Sequence, residues 1–121
     1  MVDADRSGGQ FDGRLYSVWV DKVGTDPATP DTDIYLAYSD NNGANWVLPG
    51  SPAIGASGNI WSSSGSEFLP WVDVDQATGS VNVIFYTSDG DQASGNDDVH
   101  ARIATSTDGG NTFTSSIISA Q

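Results

Sequence analysis

The chain has 121 residues, a formal net charge of −12 and no cysteine. The length suits one domain, and the lack of cysteine excludes disulfides, thiolate metal sites and a cysteine nucleophile. Four Lys and Arg residues stand against 16 Asp and Glu residues, which argues against nucleic acid or an anionic membrane as a partner. No signal peptide, transmembrane run or lipidation signal is visible, so the sequence leaves the location open, secretion included.

Stretches rich in β-branched and aromatic residues, bounded by clusters of Gly, Asp and Asn, predict β-strands along the whole chain. No stretch has a sustained helical period. The pattern therefore predicts an all-β chain with two sets of four strands. In chain order these strands cover about residues 2–5, 14–20, 33–38 and 46–54, followed by 67–75, 80–87, 98–105 and 112–119.

A short motif occurs twice in the sequence. Residues 39–46 (Ser-Asp-Asn-Asn-Gly-Ala-Asn-Trp) align with residues 106–113 (Ser-Thr-Asp-Gly-Gly-Asn-Thr-Phe) at an offset of 67. Residues 13–19 align in the same way with 79–85, at an offset of 66. A repeat of this period predicts two copies of one supersecondary unit, which must stack to bury their apolar surfaces. The positions that define the motif are Ser39, Asn41, Gly43 and Trp46 in the first copy, and Ser106, Asp108, Gly110 and Phe113 in the second.

The residue types of this motif suit a tight turn. Its glycine tolerates a positive φ angle at the tip of the turn, and its Asp or Asn can accept hydrogen bonds from turn amides. The serine is placed to cap the turn from the other side. We expect the closing aromatic residues, Trp46 and Phe113, to fold back as apolar plugs and, with Trp19, to belong to the core.

The motif resembles the Asp box of the BNR-repeat, sialidase-like β-propellers, in which it forms the turn between the third and fourth strands of a blade. The resemblance implies a single propeller segment with two four-stranded antiparallel blades, residues 1–58 and 59–121. Closed propellers have roughly 4 to 8 blades, and two blades would leave two apolar faces uncovered. We therefore expect a homotrimer that completes a six-bladed ring, with membership of a longer polypeptide as the alternative.

Sialidases of this family use an Arg triad, an Asp acid/base and a Tyr activated by a Glu. Arg6, Arg14 and Arg102 are the arginines of this chain, and none lies in the context of the family's triad. Residues 68–70 (Phe-Leu-Pro) come nearest to the family's aromatic-Arg-Ile-Pro motif but lack its Arg. The resemblance therefore implies a non-catalytic propeller module that binds a glycan or a small polar ligand. The alternatives are a fragment of a larger exo-sialidase or related glycoside hydrolase with its catalytic residues elsewhere, and a purely structural ring-forming module.

Three residues are candidates for ligand binding. Trp61, and after it Trp71, offers an aromatic surface on which a sugar can stack, although packing between blades is the role that the sequence favours even for Trp61. Glu67 is the only Glu, and with an Asp it would form the carboxylate pair of a glycoside hydrolase. A solvated or hydrogen-bonded Glu beside a strand is the alternative that the sequence favours.

Four aspartates are candidates for metal binding. Asp3 and Asp5 share one side of a strand, and so do Asp73 and Asp75. In a propeller the first strand of each blade lines the central channel, so a ring would gather these carboxylates as possible Ca²⁺ ligands. Turn capping is the alternative, and we prefer it because Asp5 and Asp75 precede turns that contain glycine. No other cofactor is expected.

Overall fold

The structure is a computed structural model that describes residues 1–24, 31–49, 58–63, 65–88 and 99–119. Within these ranges the chain forms strands and turns and no helix, and hence no helix able to cross a membrane. The strands are β1 (Val2–Ala4), β2 (Leu15–Val23), β3 (Asp31–Ser39), β4 (Asn59–Trp61), β5 (Glu67–Val74), β6 (Val81–Thr87), β7 (His100–Ser106) and β8 (Thr114–Ile117).

The strands form two antiparallel sheets of four, which confirms the predicted all-β class. The first sheet has the order β1-β2-β3-β4, and the second has the order β5-β6-β7-β8. Strand pairing also follows the sequence repeat. Leu15 pairs with Ser39 in the first sheet, and their repeat counterparts, Val81 and Ser106, pair in the second.

The fourth strand of the first sheet differs from the sequence prediction of 46–54. Only Val47 of that stretch pairs with β3, through an isolated bridge to Tyr38, and residues 50–54 lie outside the described residues. The chain pairs again with β3 at Gly58, whose carbonyl accepts from the Leu36 amide at 2.8 Å. β4 then completes the sheet, with a register shift opposite β3. The first sheet therefore extends to Trp61, beyond the residue-58 division that the sequence suggested.

The two sheets share one apolar core. Side chains alternate between the two faces of a strand, and on β2 this alternation buries Tyr16 and Val18 while Leu15, Ser17 and Trp19 project to the opposite face. Full burial of a side chain of Val or Leu size contributes about 1.5–3 kcal/mol, so this core holds the sheets together. It comprises Tyr16, Val18, Ile34 and Leu36 from the first sheet, and Val72, Val74, Val81, Val83, Phe85 and Ala104 from the second.

Candidate functional site

The repeated motif forms two turns with the same hydrogen bonds. In the first turn (residues 39–46), the amide of Gly43 donates to Ser39 Oγ at 2.9 Å, and the Ser39 hydroxyl donates to Asn41 Oδ1 at 3.0 Å. In the second turn (residues 106–113), the corresponding distances are 2.9 Å and 2.7 Å, with Ser106 and Asp108 in the equivalent places. The turn glycines have φ angles of 84° and 87°, so the backbone conformations also match.

The Asp at the third position makes the second turn the more strongly bonded of the two. Asp108 Oδ1 accepts from the amides of Asn111 and Thr112 at 3.1 and 2.9 Å, and its Oδ2 accepts from the Thr112 hydroxyl at 2.6 Å. Burial raises the pKa of Asp108, but these hydrogen bonds and that from Ser106 outweigh burial, so the pKa falls below its usual value. Asn41 carries no charge and accepts from one turn amide, that of Asn45, at 2.8 Å.

The two turns differ in their surroundings. The second turn packs on the first sheet, where a Cβ atom at Gly110 would lie 3.1 Å from the Tyr16 ring. Arg14 joins the turns, because it donates to both carboxylate oxygens of Asp40 and to the carbonyl of Gly109. The first turn lies largely in solvent. Its aromatic residue, Trp46, is 43% exposed, so the expectation of a core Trp at this position is wrong.

A cluster of three carboxyl groups joins the two sheets. Asp31 and Asp33 come from the start of β3, Glu67 begins β5, and their nearest carboxylate oxygens all lie within 4.8 Å of one another. The Glu67 side chain is fully buried, and Asp33 is 2% exposed. The Thr32 hydroxyl donates to the Glu67 carbonyl at 2.7 Å, which fixes the start of β5 against β3.

Hydroxyl and amide groups of β4, of β6 and of Ser63, which follows β4, orient two of these carboxyls. Ser63 and Thr87 donate to Glu67 Oε1 at 2.6 and 2.8 Å, and Asn59 donates to Asp33 Oδ2 at 2.5 Å. Burial raises the pKa of Glu67 to about 7 although the two hydroxyl bonds favour its charged form. Burial likewise raises the pKa of Asp33, against the opposing hydrogen bond from Asn59. Because Glu67 is fully buried, a sugar has no access to its carboxyl group in this structure.

Sequence reasoning singled out Glu67 but missed Asp31 and Asp33. The available signal was their spacing of two residues at the start of a strand, the same spacing as in Asp3 and Asp5. That spacing places two carboxyls on one side of a strand. It does not show that a third, more than thirty residues further on, lies beside them.

Three of the four aspartates proposed as metal ligands make other contacts. Asp3 Oδ2 accepts from the amide of Val74 at 2.8 Å, which links β1 to β5. Asp5 Oδ1 accepts from the amide of Ser7 at 2.8 Å in a local turn.

Asp75 caps its turn in the same way, with the amide of Ala77 at 2.9 Å and the hydroxyl of Thr78 at 2.7 Å. Asp73 is an exposed residue of β5. Asp5 and Asp75 thus act as turn caps within one chain. A Ca²⁺ site built from these four aspartates stays a prediction, because it would require several chains around one axis.

The two candidate tryptophans lie in different environments. Trp61 belongs to β4 rather than to a loop, and its ring lies 6.5 Å from that of Phe85 in the core. The guanidinium of Arg102 lies 4.3 Å from the centre of the Trp61 ring. Trp71 is 60% exposed on β5, opposite Ile84. Trp71 therefore presents a free aromatic surface, whereas Trp61 is engaged by its neighbours.

The face of the second sheet that points away from the first sheet carries several exposed apolar side chains. We call it the outer face, and it includes Ile84 and Tyr86 on β6, which alternate with buried Val83 and Phe85. Phe68 and Tyr86 stack there with ring centres 5.9 Å apart. By pairing and alternation, the outer face also includes the apolar residues Trp71, Ala101 and Ile103 and the polar residues Asp73, Asn82 and Thr105.

No protein-family model matches this sequence, and no curated protein is similar to it. The likeness to sialidase-like propellers therefore rests on the repeated motif and on its residues, and it stays a prediction.

Proposed function

We propose that this chain is a non-catalytic, two-blade module of the sialidase-like β-propeller type that assembles with copies of itself into a closed ring. The observation that carries this proposal is an asymmetry between repeat counterparts. Ile84 is 42% exposed, whereas Val18, at the same place in the first copy, is 1% exposed. Val18 is covered because the second sheet packs on it, whereas no sheet among the described residues packs on Ile84.

The repeat also indicates what would cover the outer face. The face of the first sheet that carries Val18 packs against Val81, Val83 and Phe85 of the second sheet. The counterparts of those three residues in the first copy are Leu15, Ser17 and Trp19, which project from the free face of the first sheet. A second copy can therefore place its first sheet on the outer face by repeating the packing seen within one chain. Such a head-to-tail contact generates a ring when the rotation closes.

The turns support the same arrangement. The second turn docks on the first sheet of its own chain, whereas the first turn, with the same hydrogen bonds, lies largely in solvent. In a ring, the first turn would dock in the same way on the second sheet of the preceding copy. Three copies would give six blades, the number that the resemblance to sialidase-like rings suggests.

The solution mass tests this proposal. Light scattering behind a sizing column should give about 38 kDa, three times the chain mass of 12.6 kDa. Ile84→Glu should reduce the mass to that of one chain, because a charge at the centre of the outer face cannot be buried unpaired. Val47→Glu is the matched control, since Val47 is similarly exposed but lies at the edge of the first sheet. A wild-type protein that stays at 12.6 kDa in both low and high salt contradicts self-assembly.

A glycan or small polar ligand is the expected partner of the module, and the indole of Trp71, which is exposed in a single chain, is the feature that favours it. Assembly through the outer face would cover Trp71, so the two roles make different predictions for Trp71→Ala. If Trp71 stacks on a sugar, Trp71→Ala should lose affinity for the glycan and keep the solution mass of the wild type. If Trp71 lies in the interface between copies, the variant should have a lower solution mass. Trp61→Ala should affect ligand affinity only if its half-buried ring reaches the ligand. Unchanged affinity in both variants would remove these tryptophans as the glycan site, and turnover of a fluorogenic sialoside would favour the hydrolase alternative.

A further inference from the structure

The cluster of Asp31, Asp33 and Glu67 contains oxygen atoms for which the described residues provide no hydrogen-bond donor. Glu67 Oε2, Asp33 Oδ1 and Asp31 Oδ1 are all buried and accept no hydrogen bond from that part of the chain. Buried polar atoms are nearly always paired, and an exception calls for an explanation such as an ion. In this case three exceptions occur in one group, and two of them belong to side chains that are at most 2% exposed.

No ion pair of the cluster with a basic side chain is seen in the part of the chain that the structure describes. The ion pairs recorded among the described residues lie elsewhere, between Arg6 and Asp3 and between Arg14 and Asp40. Like charges held this close in a buried position cannot all ionise unless a positive charge or a proton joins them. A bound cation would supply that charge and would also coordinate the unpartnered oxygens.

We propose that Asp31, Asp33 and Glu67 bind a Ca²⁺ ion that joins the first sheet to the second. The donors are carboxylate oxygens, which are the ligands that suit hard cations such as Ca²⁺. Calcium takes oxygen ligands at about 2.3–2.6 Å, so two ligands on opposite sides are at most about 5 Å apart, and the span of this cluster fits within that limit. Calcium also tolerates flexible coordination geometry, whereas Mg²⁺ demands a near-ideal octahedron and gives up its water reluctantly.

This site differs from the axial one considered for Asp3, Asp5, Asp73 and Asp75. Its ligands come from one chain, so it needs no assembly. Asp31 and Asp33 hold one side of the ion from β3, and Glu67 holds the other from β5. Binding would therefore fix the relative position of the two sheets and raise the temperature at which the chain unfolds.

Calcium titration of the chelator-treated protein tests the site. Isothermal titration calorimetry should show one Ca²⁺ per chain, and thermal denaturation should show a higher Tm in calcium than in chelator, with a smaller effect of equimolar magnesium. Loss of a group that merely orients a metal ligand weakens binding about 10–100-fold, so Glu67→Gln and Asp31→Asn should each weaken binding by roughly tenfold or more. Asp73→Asn is the control, because Asp73 belongs to the axial set and is exposed.

Three results would overturn the proposal. The first is no binding heat and no change in Tm in millimolar calcium, which would mean that a shared proton alone neutralises the cluster. The second is wild-type affinity in Asp31→Asn, whose half-buried position makes it the decisive variant if Glu67→Gln does not fold. The third is calcium binding that Asp73→Asn abolishes and Asp31→Asn leaves intact, which would move the ion to the axial aspartates.

Discussion

The charge of Asp108 should account for a measurable part of the stability of this fold. Its carboxylate accepts four hydrogen bonds inside the second turn, three of them on Oδ1 and one on Oδ2. Asp108→Asn keeps an Oδ1 acceptor but removes the charge and the Oδ2 acceptor. A hydrogen bond to a charged group contributes about 1.5–3 kcal/mol and a neutral one about 0.5–1.5 kcal/mol. Because the turn is partly exposed, we expect Asp108→Asn to lower the free energy of unfolding by about 1–2 kcal/mol.

The effect should also depend on pH in a defined direction. The hydrogen bonds lower the pKa of Asp108 in the folded chain, whereas the unfolded value is about 3.9. A lowered pKa stabilises the fold above the unfolded value, and this contribution disappears as the pH falls through the folded value. The difference between wild type and Asp108→Asn should therefore be constant from about pH 5 to pH 8 and shrink below about pH 4.

Urea denaturation followed by tryptophan fluorescence measures this difference, at one protein concentration because assembly would make stability concentration-dependent. Asn41→Asp is the reciprocal variant in the first turn. It gives the Asn45 amide a charged acceptor and should raise stability by up to about 0.5 kcal/mol. Equal stability of Asp108→Asn and wild type at pH 7 would refute the reasoning, and so would a deficit that persists undiminished at pH 3.

Three further predictions concern the packing of the turns and the core. Gly110→Ala should destabilise the protein more than Gly43→Ala in urea denaturation, because both have a positive φ but only at Gly110 would the new Cβ lie 3.1 Å from a core ring; equal losses would contradict this. Arg14→Lys should cost about 1–2 kcal/mol by the same assay, because Lys cannot reproduce the two parallel bonds to Asp40, and an unchanged midpoint would show that these bonds contribute little. Val83→Ala should lower Tm by about 4–8 °C, because it removes roughly 1–2 kcal/mol of packing in the shared core. An unchanged Tm would show that this core is loosely packed.

In the second sheet, local sequence patterns predicted two of the strands correctly. The predicted strands at 67–75 and 80–87 correspond to β5 and β6, because β-branched and aromatic residues alternate there between clear turn signals. The turns were equally accessible to sequence analysis, since each network of serine, carboxyl or amide, and glycine lies within eight residues. The same local chemistry gave matching geometry at both copies even though Asn41 replaces an Asp.

The first sheet shows where local sequence fails. Trp46, Val47 and Leu48 look like the start of a strand, yet β4 forms at Asn59–Trp61. Three-residue strands carry little periodic signal, and their position depends on which carbonyl and amide groups of β3 remain unpaired. The prediction that Trp46 is buried was wrong for a related reason. An aromatic side chain enters the core only if another sheet covers it, and in a single chain the first turn has no such cover.

The sequence by itself showed the repeat. It also determined the strand-rich class and the two turns, because both depend on contacts between residues that are close in the chain. Only the tertiary structure decided that Asp31 and Asp33 meet Glu67, and that Ile84 stays exposed while its counterpart Val18 is buried. Both facts depend on how two sheets stack, and stacking brings together residues whose spacing along the chain carries no periodic signal. The physical reason is that burial is a property of the assembled surfaces, whereas propensity is a property of each segment.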